Sequence, residues 1–178
     1  EVEKKLSANL TIHDPLKPLN MAILCTKEQV HVIDLIMKYQ SSELNCRIPL
    51  IISNHNDLRD RVKSYGIDYY YLPVNCQNKE LQEKKMISLF EKNNIEIVVL
   101  ARYMQILSPG FVQRYKGKII NIHHAFLPAF KGKRPYHKAW SRGVKMIGAT
   151  AHYVTEELDE GPIIEQDVES VSHQFSVK

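Results

Sequence analysis

"EIVVLAR", residues 96–102, has an unbroken apolar middle of five residues, Ile97-Val98-Val99-Leu100-Ala101. A run this short and this uniformly apolar predicts a strand buried on both faces. Such strands belong to parallel sheets covered by helices on each side. Upstream, strand and helix patterns alternate. Met21–Thr26 is a short apolar run, and Lys27–Gln40 has helical spacing through Val30, Ile33, Ile36 and Met37. Arg47–Ser53 predicts a second strand, Asp57–Tyr65 a helix closed by Gly66, Asp68–Val74 a third strand and Lys79–Asn93 a helix. Downstream, Ser108-Pro109 starts a short helix to about Tyr115, with proline at its first position, and Lys118–His123 reads as strand five. A short helix at His137–Gly143 precedes two β runs, Ile147–Thr155 and Pro162–Val171. Only Glu156–Gly161 separates those runs, so they are expected to be antiparallel. The fold class expected is α/β: a mainly parallel, Rossmann-like sheet flanked by helices, with a C-terminal antiparallel β pair.

The bulk numbers narrow the function classes. At 178 residues, 44% hydrophobic and 25% charged, the chain reads as one globular domain with a substantial core. The net charge of +4 is mild and interspersed with acids, so nucleic acid is not an expected partner. No apolar run approaches the roughly 18 residues of a membrane span. Cys25, Cys46 and Cys76 are odd in number without a CxxC spacing, which fits a reducing cytoplasm. Residues 1–20, polar with Pro15 and Pro18, read as a linker. The opening Glu1-Val-Glu-Lys-Lys is neither a signal peptide nor a start methionine, so a piece cut from something longer is expected. The oligomeric state is left open, a homo-oligomer included.

Chemistry concentrates in the last third. "NIHHAFLPAF", residues 121–130, places Asn121, His123 and His124 where strand five ends. Burying unmatched polar groups costs roughly 1–3 kcal/mol each, so the cluster is either a satisfied structural network or the reacting end of a site. In open α/β sheets ligands bind beyond the carboxyl ends of the strands, which favours a site. Asn121 and His123, two apart on a strand, share a face. His152 and the turn Glu156–Gly161, which holds Asp159, complete the set. Asparagine can donate to a developing oxyanion, histidine can move protons near its working pH, and aspartate can orient the imidazole. No serine or cysteine stands beside them as a nucleophile, so direct attack of water or an amine on an acyl carbon is the chemistry that fits. His123 and His124 face opposite ways on a strand and make a poor pair of metal ligands, so no metal site is expected. The turn after strand one, Cys25–Gln29, lacks glycine, which points away from a dinucleotide or P-loop phosphate cradle.

"NIHHAFLPAFKGKRPYHKAW", "GATAHYVTEELDEGPIIEQD" and "ARYMQIL" together resemble the 10-formyltetrahydrofolate hydrolases, also called formyltetrahydrofolate deformylases, of the folate-dependent formyltransferase superfamily. The resemblance runs from about Met21 to the end and implies a formyltransferase-type catalytic domain over 21–178. It implies that Asn121, His123 and Asp159 are catalytic, and that His124 and His152 position water or support the catalytic groups. It makes the folate site from Met104, Gln105 and Leu107 on one wall and Val154, Glu157 and Leu158 on the other. It also implies an amino-acid-binding ACT domain before this one, of which residues 1–20 are the trailing edge and linker, and a C-terminal helix beyond Lys178.

The activity implied is hydrolysis of 10-formyltetrahydrofolate to tetrahydrofolate and formate, serving one-carbon and purine metabolism, with no tightly bound cofactor and the folate as a small-molecule substrate. Two alternatives stay open: formyl transfer to an amine of the glycinamide ribonucleotide type, and a folate-binding sensor without chemistry. Transferases of this superfamily bind substrate phosphate on a glycine-rich turn after strand one and carry proline where this chain has His124. The doubled histidine and "RPYH" resemble the hydrolases. Lys131, Lys133 and Arg134 are expected either to attract the folate glutamate tail or to be solvated surface charge.

Overall fold

The computed structural model describes residues 16–130, 132, 134–172 and 174–177. Seven strands form one sheet in the order β3-β2-β1-β4-β5-β6-β7. Strands β1 (Leu19–Cys25), β2 (Cys46–Ser53), β3 (Asp68–Tyr71), β4 (Ile97–Ala101) and β5 (Ile119–His123) pair parallel with one another. Strands β6 (Met146–Tyr153) and β7 (Ile163–Ser170) run antiparallel. The expected C-terminal pair is therefore present, and it is joined to the parallel sheet because β6 also pairs antiparallel with β5. The linker expected over 1–20 lies outside the described residues up to residue 15. Leu19 and Asn20 already belong to β1.

The strands alternate between two cores. Ala22 and Leu24 of β1 face one cluster with Leu50, Val98, Leu100 and Ile119, closed by Met86 and Phe90 from α3 (Lys79–Lys92) and by Phe111 and Val112 from α4 (Pro109–Arg114). Met21, Ile23 and Cys25 face the other, closed by Val32 and Ile36 of α1 (Val30–Gln40) and Val62 of α2 (Arg59–Lys63). Each large aliphatic side chain fully removed from water contributes about 1.5–3 kcal/mol, so β1 is held from both faces. The expected two-sided burial of strand four also stands, since Val98 and Leu100 face the first core while Val99 packs on the second.

Some boundaries moved for identifiable reasons. Helix α1 begins at Val30 rather than Lys27, and its inner stripe is Val32 and Ile36, while Val30 and Met37 are largely exposed. Strand β3 is shorter than expected: the Leu72 N–H makes its last bond to β2, on the Ser53 carbonyl at 2.8 Å, and Pro73 after it has no N–H to give. The last helix, α5 (Pro135–Ser141), starts two residues before the expected His137, using Pro135 in its first turn. Ser108 caps α4 as expected, its hydroxyl accepting from the Phe111 N–H at 3.2 Å. No helix among the described residues is long and apolar enough to cross a membrane.

Candidate active site

Register delivers the first part of the site. Asn121 on β5 sits opposite His152 on β6, and His123 opposite Thr150, so all four side chains share the face of the first core. The Nδ1 of His152 lies 3.0 Å from the Tyr153 carbonyl oxygen, which can only accept, so Nδ1 carries the proton. The Nε2 of His152 is therefore the acceptor for the Asn121 Nδ2 at 3.3 Å. That bond fixes the amide of Asn121 with its nitrogen inward and leaves its second N–H to donate elsewhere. His152 is 2% exposed, so this tautomer is set by the fold and not by solvent.

A long-range fold-back supplies the second part. Asp159 adopts a left-handed backbone (φ 58) in the turn between β6 and β7 and is buried. Its Oδ2 lies 3.3 Å from Nδ1 of His123 and accepts from the Gly132 N–H at 3.2 Å. Its Oδ1 is 3.9 Å from Nε2 of His152, a contact without a hydrogen bond in the tautomer that serves Asn121. The Nε2 of His123 faces the Phe130 carbonyl oxygen at 3.4 Å. A protonated ring would donate at both nitrogens, so carboxylate and carbonyl together suit a ring that gains a proton during reaction.

Thr150, fully buried, holds the segment after β5 in place. It donates to the Ala125 carbonyl at 2.7 Å and accepts from the Leu127 N–H and the Gln166 amide, each at 3.0 Å. Its hydroxyl is saturated, and the chain from Ala125 to Phe130 is thereby positioned over His123. Gly161 plays the matching part for Asp159. A Cβ there would overlap the Tyr153 carbonyl oxygen, a backbone atom that cannot move aside. Gly161→Ala is expected to lower stability by about 1–3 kcal/mol and shift the Asp159 turn. Chemical denaturation with intact far-ultraviolet dichroism at rest is the check.

His124 points away from His123, as the strand alternation predicts. Its ring centroid stands 6.2 Å from that of His31 on α1 and 6.1 Å from that of Tyr136 on α5. Burial, and then the charges of Arg102, His31 and His123, push its pKa below the ordinary 6.5, which keeps the ring neutral. Cys25 is disqualified as a nucleophile by chemistry as well as place, since burial raises its thiol to about 12. Among the described residues no group of three or more His, Cys, Asp or Glu side chains is placed to hold a metal ion.

The two expected folate walls meet at one apolar floor. Leu107 belongs to the first core with Leu100, Phe111, Val112 and Ile119, and Val154 packs against that cluster. Gln105 and Leu107 line a small pocket with Tyr103 and Ile106. Met104 and Leu158 project outward, 69% and 59% exposed, and Glu157 is exposed. Among the described residues no backbone hydrogen bond is recorded for Gln105, Ile106 or Leu107, so the edge of that segment is unspent. Lys131 and Lys133 lie outside the described residues, and Arg134 is exposed.

A model of the formyl transferase family matches residues 19–178, which contain all of these groups. The chain belongs to the formyl transferase family. It is 48% identical to the formyltetrahydrofolate deformylase of a Synechocystis species over 177 residues, covering 99% of this chain and 62% of that protein. The crystal structure of a formyltetrahydrofolate deformylase from Pseudomonas syringae superposes with a TM-score of 0.93 at 46% identity, covering 98% of this chain and 59% of that one. The phosphoribosylglycinamide formyltransferase of Anaplasma phagocytophilum is further away at 33% identity and a TM-score of 0.81, covering 90% and 76%. The chain thus spans about three-fifths of the length of the deformylases it resembles. The expected formyltransferase-type fold is borne out.

Proposed function

We propose that this domain hydrolyses 10-formyltetrahydrofolate to tetrahydrofolate and formate, as a cytoplasmic enzyme that uses the folate as substrate and needs no tightly bound cofactor. The observation that carries the reading is Asn121 with one N–H committed to His152 and one free, beside a His123 ring whose Nδ1 lies 3.3 Å from the Asp159 carboxylate. The free N–H of Asn121 donates to the formyl oxygen. Water attacks the formyl carbon, its proton passes to Nε2 of His123, and the formyl oxygen becomes an alkoxide held by Asn121. Collapse of that intermediate breaks the bond from carbon to N10, and His123 returns the proton to the departing nitrogen. Asp159 keeps the ring oriented and stabilises its charge while it holds two protons. The unspent backbone of Gln105–Leu107 offers hydrogen bonds to the pterin edge, with Met104, Val154, Glu157 and Leu158 completing the walls.

Water is favoured over an amine substrate carrying a phosphate by the turn Cys25–Gln29, which has no glycine to cradle that phosphate. The neutral ring of His124, with one donor and one acceptor, would support the catalytic groups from the opposite side of β5. Incubation with 10-formyltetrahydrofolate, with and without glycinamide ribonucleotide, is expected to release formate at the same rate in both arms and to be unaffected by a chelator. Formyl transfer to the amine at a rate rivalling formate release would overturn the reading.

A further inference from the structure

We infer that Glu83, on α3, is a positioning residue for folate: it sets the backbone of Gln105–Leu107 by completing the cap of α4 from outside that helix. The inference rests on the folate reading above. In a capping box the N-cap hydroxyl bonds the N3 amide, while a Glu or Gln at N3 reaches back to the N-cap amide. Here Ser108 performs the first half on Phe111, but N3 is that same phenylalanine and cannot return the bond. The carboxylate of Glu83 takes its place. Its Oε1 accepts from the Ser108 N–H at 2.8 Å, and its Oε2 accepts from the Ser108 hydroxyl.

Glu83 is 6% exposed, unusual for a carboxylate on a helix that otherwise reads as a surface helix. Its charge, after burial, helps raise the phenol of Tyr103 well above the ordinary range, so the two groups stand close at the root of the same segment. At the other end, the Met104 N–H donates to the hydroxyl of Thr26, just past β1, at 3.0 Å. The segment from Met104 to Ser108 is thus pinned at each end by a side chain from a different element. Between the pins, Gln105, Ile106 and Leu107 make no backbone hydrogen bond among the described residues and line a pocket that Glu83 itself borders. The cap holds unsatisfied donors and acceptors in position for a ligand edge.

The test compares Glu83→Ala, Glu83→Gln and Ser108→Ala with wild type in formate release and in hydrogen exchange of the peptide covering 102–108. Glu83→Ala is expected to raise KM for 10-formyltetrahydrofolate about tenfold, the size of one charge-assisted hydrogen bond, with kcat little changed. Glu83→Gln keeps an acceptor for the Ser108 N–H and should recover most of the loss. Ser108→Ala keeps the backbone donor and should show a smaller rise in KM. Exchange in 102–108 should quicken in the alanine variants and stay slow in the glutamine variant. Unchanged KM and exchange in Glu83→Ala would overturn the inference, as would a glutamine variant as impaired as the alanine one. If Glu83→Ala does not fold, Ser108→Ala decides, and an unmoved KM and exchange rate there sinks the proposal. Absence of formate release by wild type would instead sink the functional reading, while the exchange experiment still decides the role of Glu83.

Discussion

Asp159→Asn is expected to lower turnover by about 10³–10⁴ while leaving the fold intact. The carboxylate oxygen Oδ2 accepts from the Gly132 N–H and lies 3.3 Å from Nδ1 of His123, placed to accept its proton as well. An asparagine can keep its oxygen towards Gly132 only by sharing it, or turn its amide nitrogen towards His123. In the second arrangement the His123 ring must present a lone pair at Nδ1, its proton moves to Nε2, and the nitrogen that should take a proton from water already holds one. In either arrangement no negative charge faces the doubly protonated ring. The loss should therefore fall on kcat, with folate binding little altered, since Asp159 acts through the His123 ring. Steady-state kinetics beside equilibrium binding of tetrahydrofolate makes the separation. A variant that retains wild-type kcat would remove Asp159 from the mechanism.

Much of this architecture is legible in the chain. Alternating apolar runs and helical stripes imply the parallel sheet, and the spacing of Asn121 and His123 implies their shared face, because strand geometry has a period of two. What is not legible depends on contacts between distant segments. The inner stripe of α1 is Val32 and Ile36, although Val30 and Met37 fit a helical period equally well, because only the sheet beneath decides which stripe is inside. The approach of Asp159 to His123 requires a non-glycine residue at positive φ and a glycine two residues later that lies against the Tyr153 carbonyl. The partners contributed by Phe130 and Gly132 are backbone atoms, which no side-chain pattern marks. Glu83 is the hardest of all. In sequence it is one charge among several on a polar helix, and only tertiary packing turns it inward to Ser108. Thr150 is similar, a β-branched strand residue whose three hydrogen bonds emerge only when β5, β6 and β7 lie side by side.

Asn121→Ala separates the two explanations between which the cluster at the end of β5 is poised. If Asn121 serves only the buried network, its removal strands the Nε2 acceptor of His152, a group 2% exposed, and stability falls by about 1–3 kcal/mol with activity reduced only through folding. If its free N–H also meets the formyl oxygen, the substrate feels the loss most as that oxygen gains charge. Turnover should then fall by about 10²–10³ with KM little changed, because a donor aimed at a developing oxyanion acts on the barrier more than on ground-state binding. Both effects are expected together, and they are measured independently. Denaturation reports the stranded histidine, and kcat at saturating folate reports the oxyanion donor. Pairing the substitution with His152→Leu, which removes the orphaned acceptor, should restore part of the stability and none of the turnover. Recovery of turnover in that double variant would show that Asn121 acts through the network alone, and the oxyanion role would have to be abandoned.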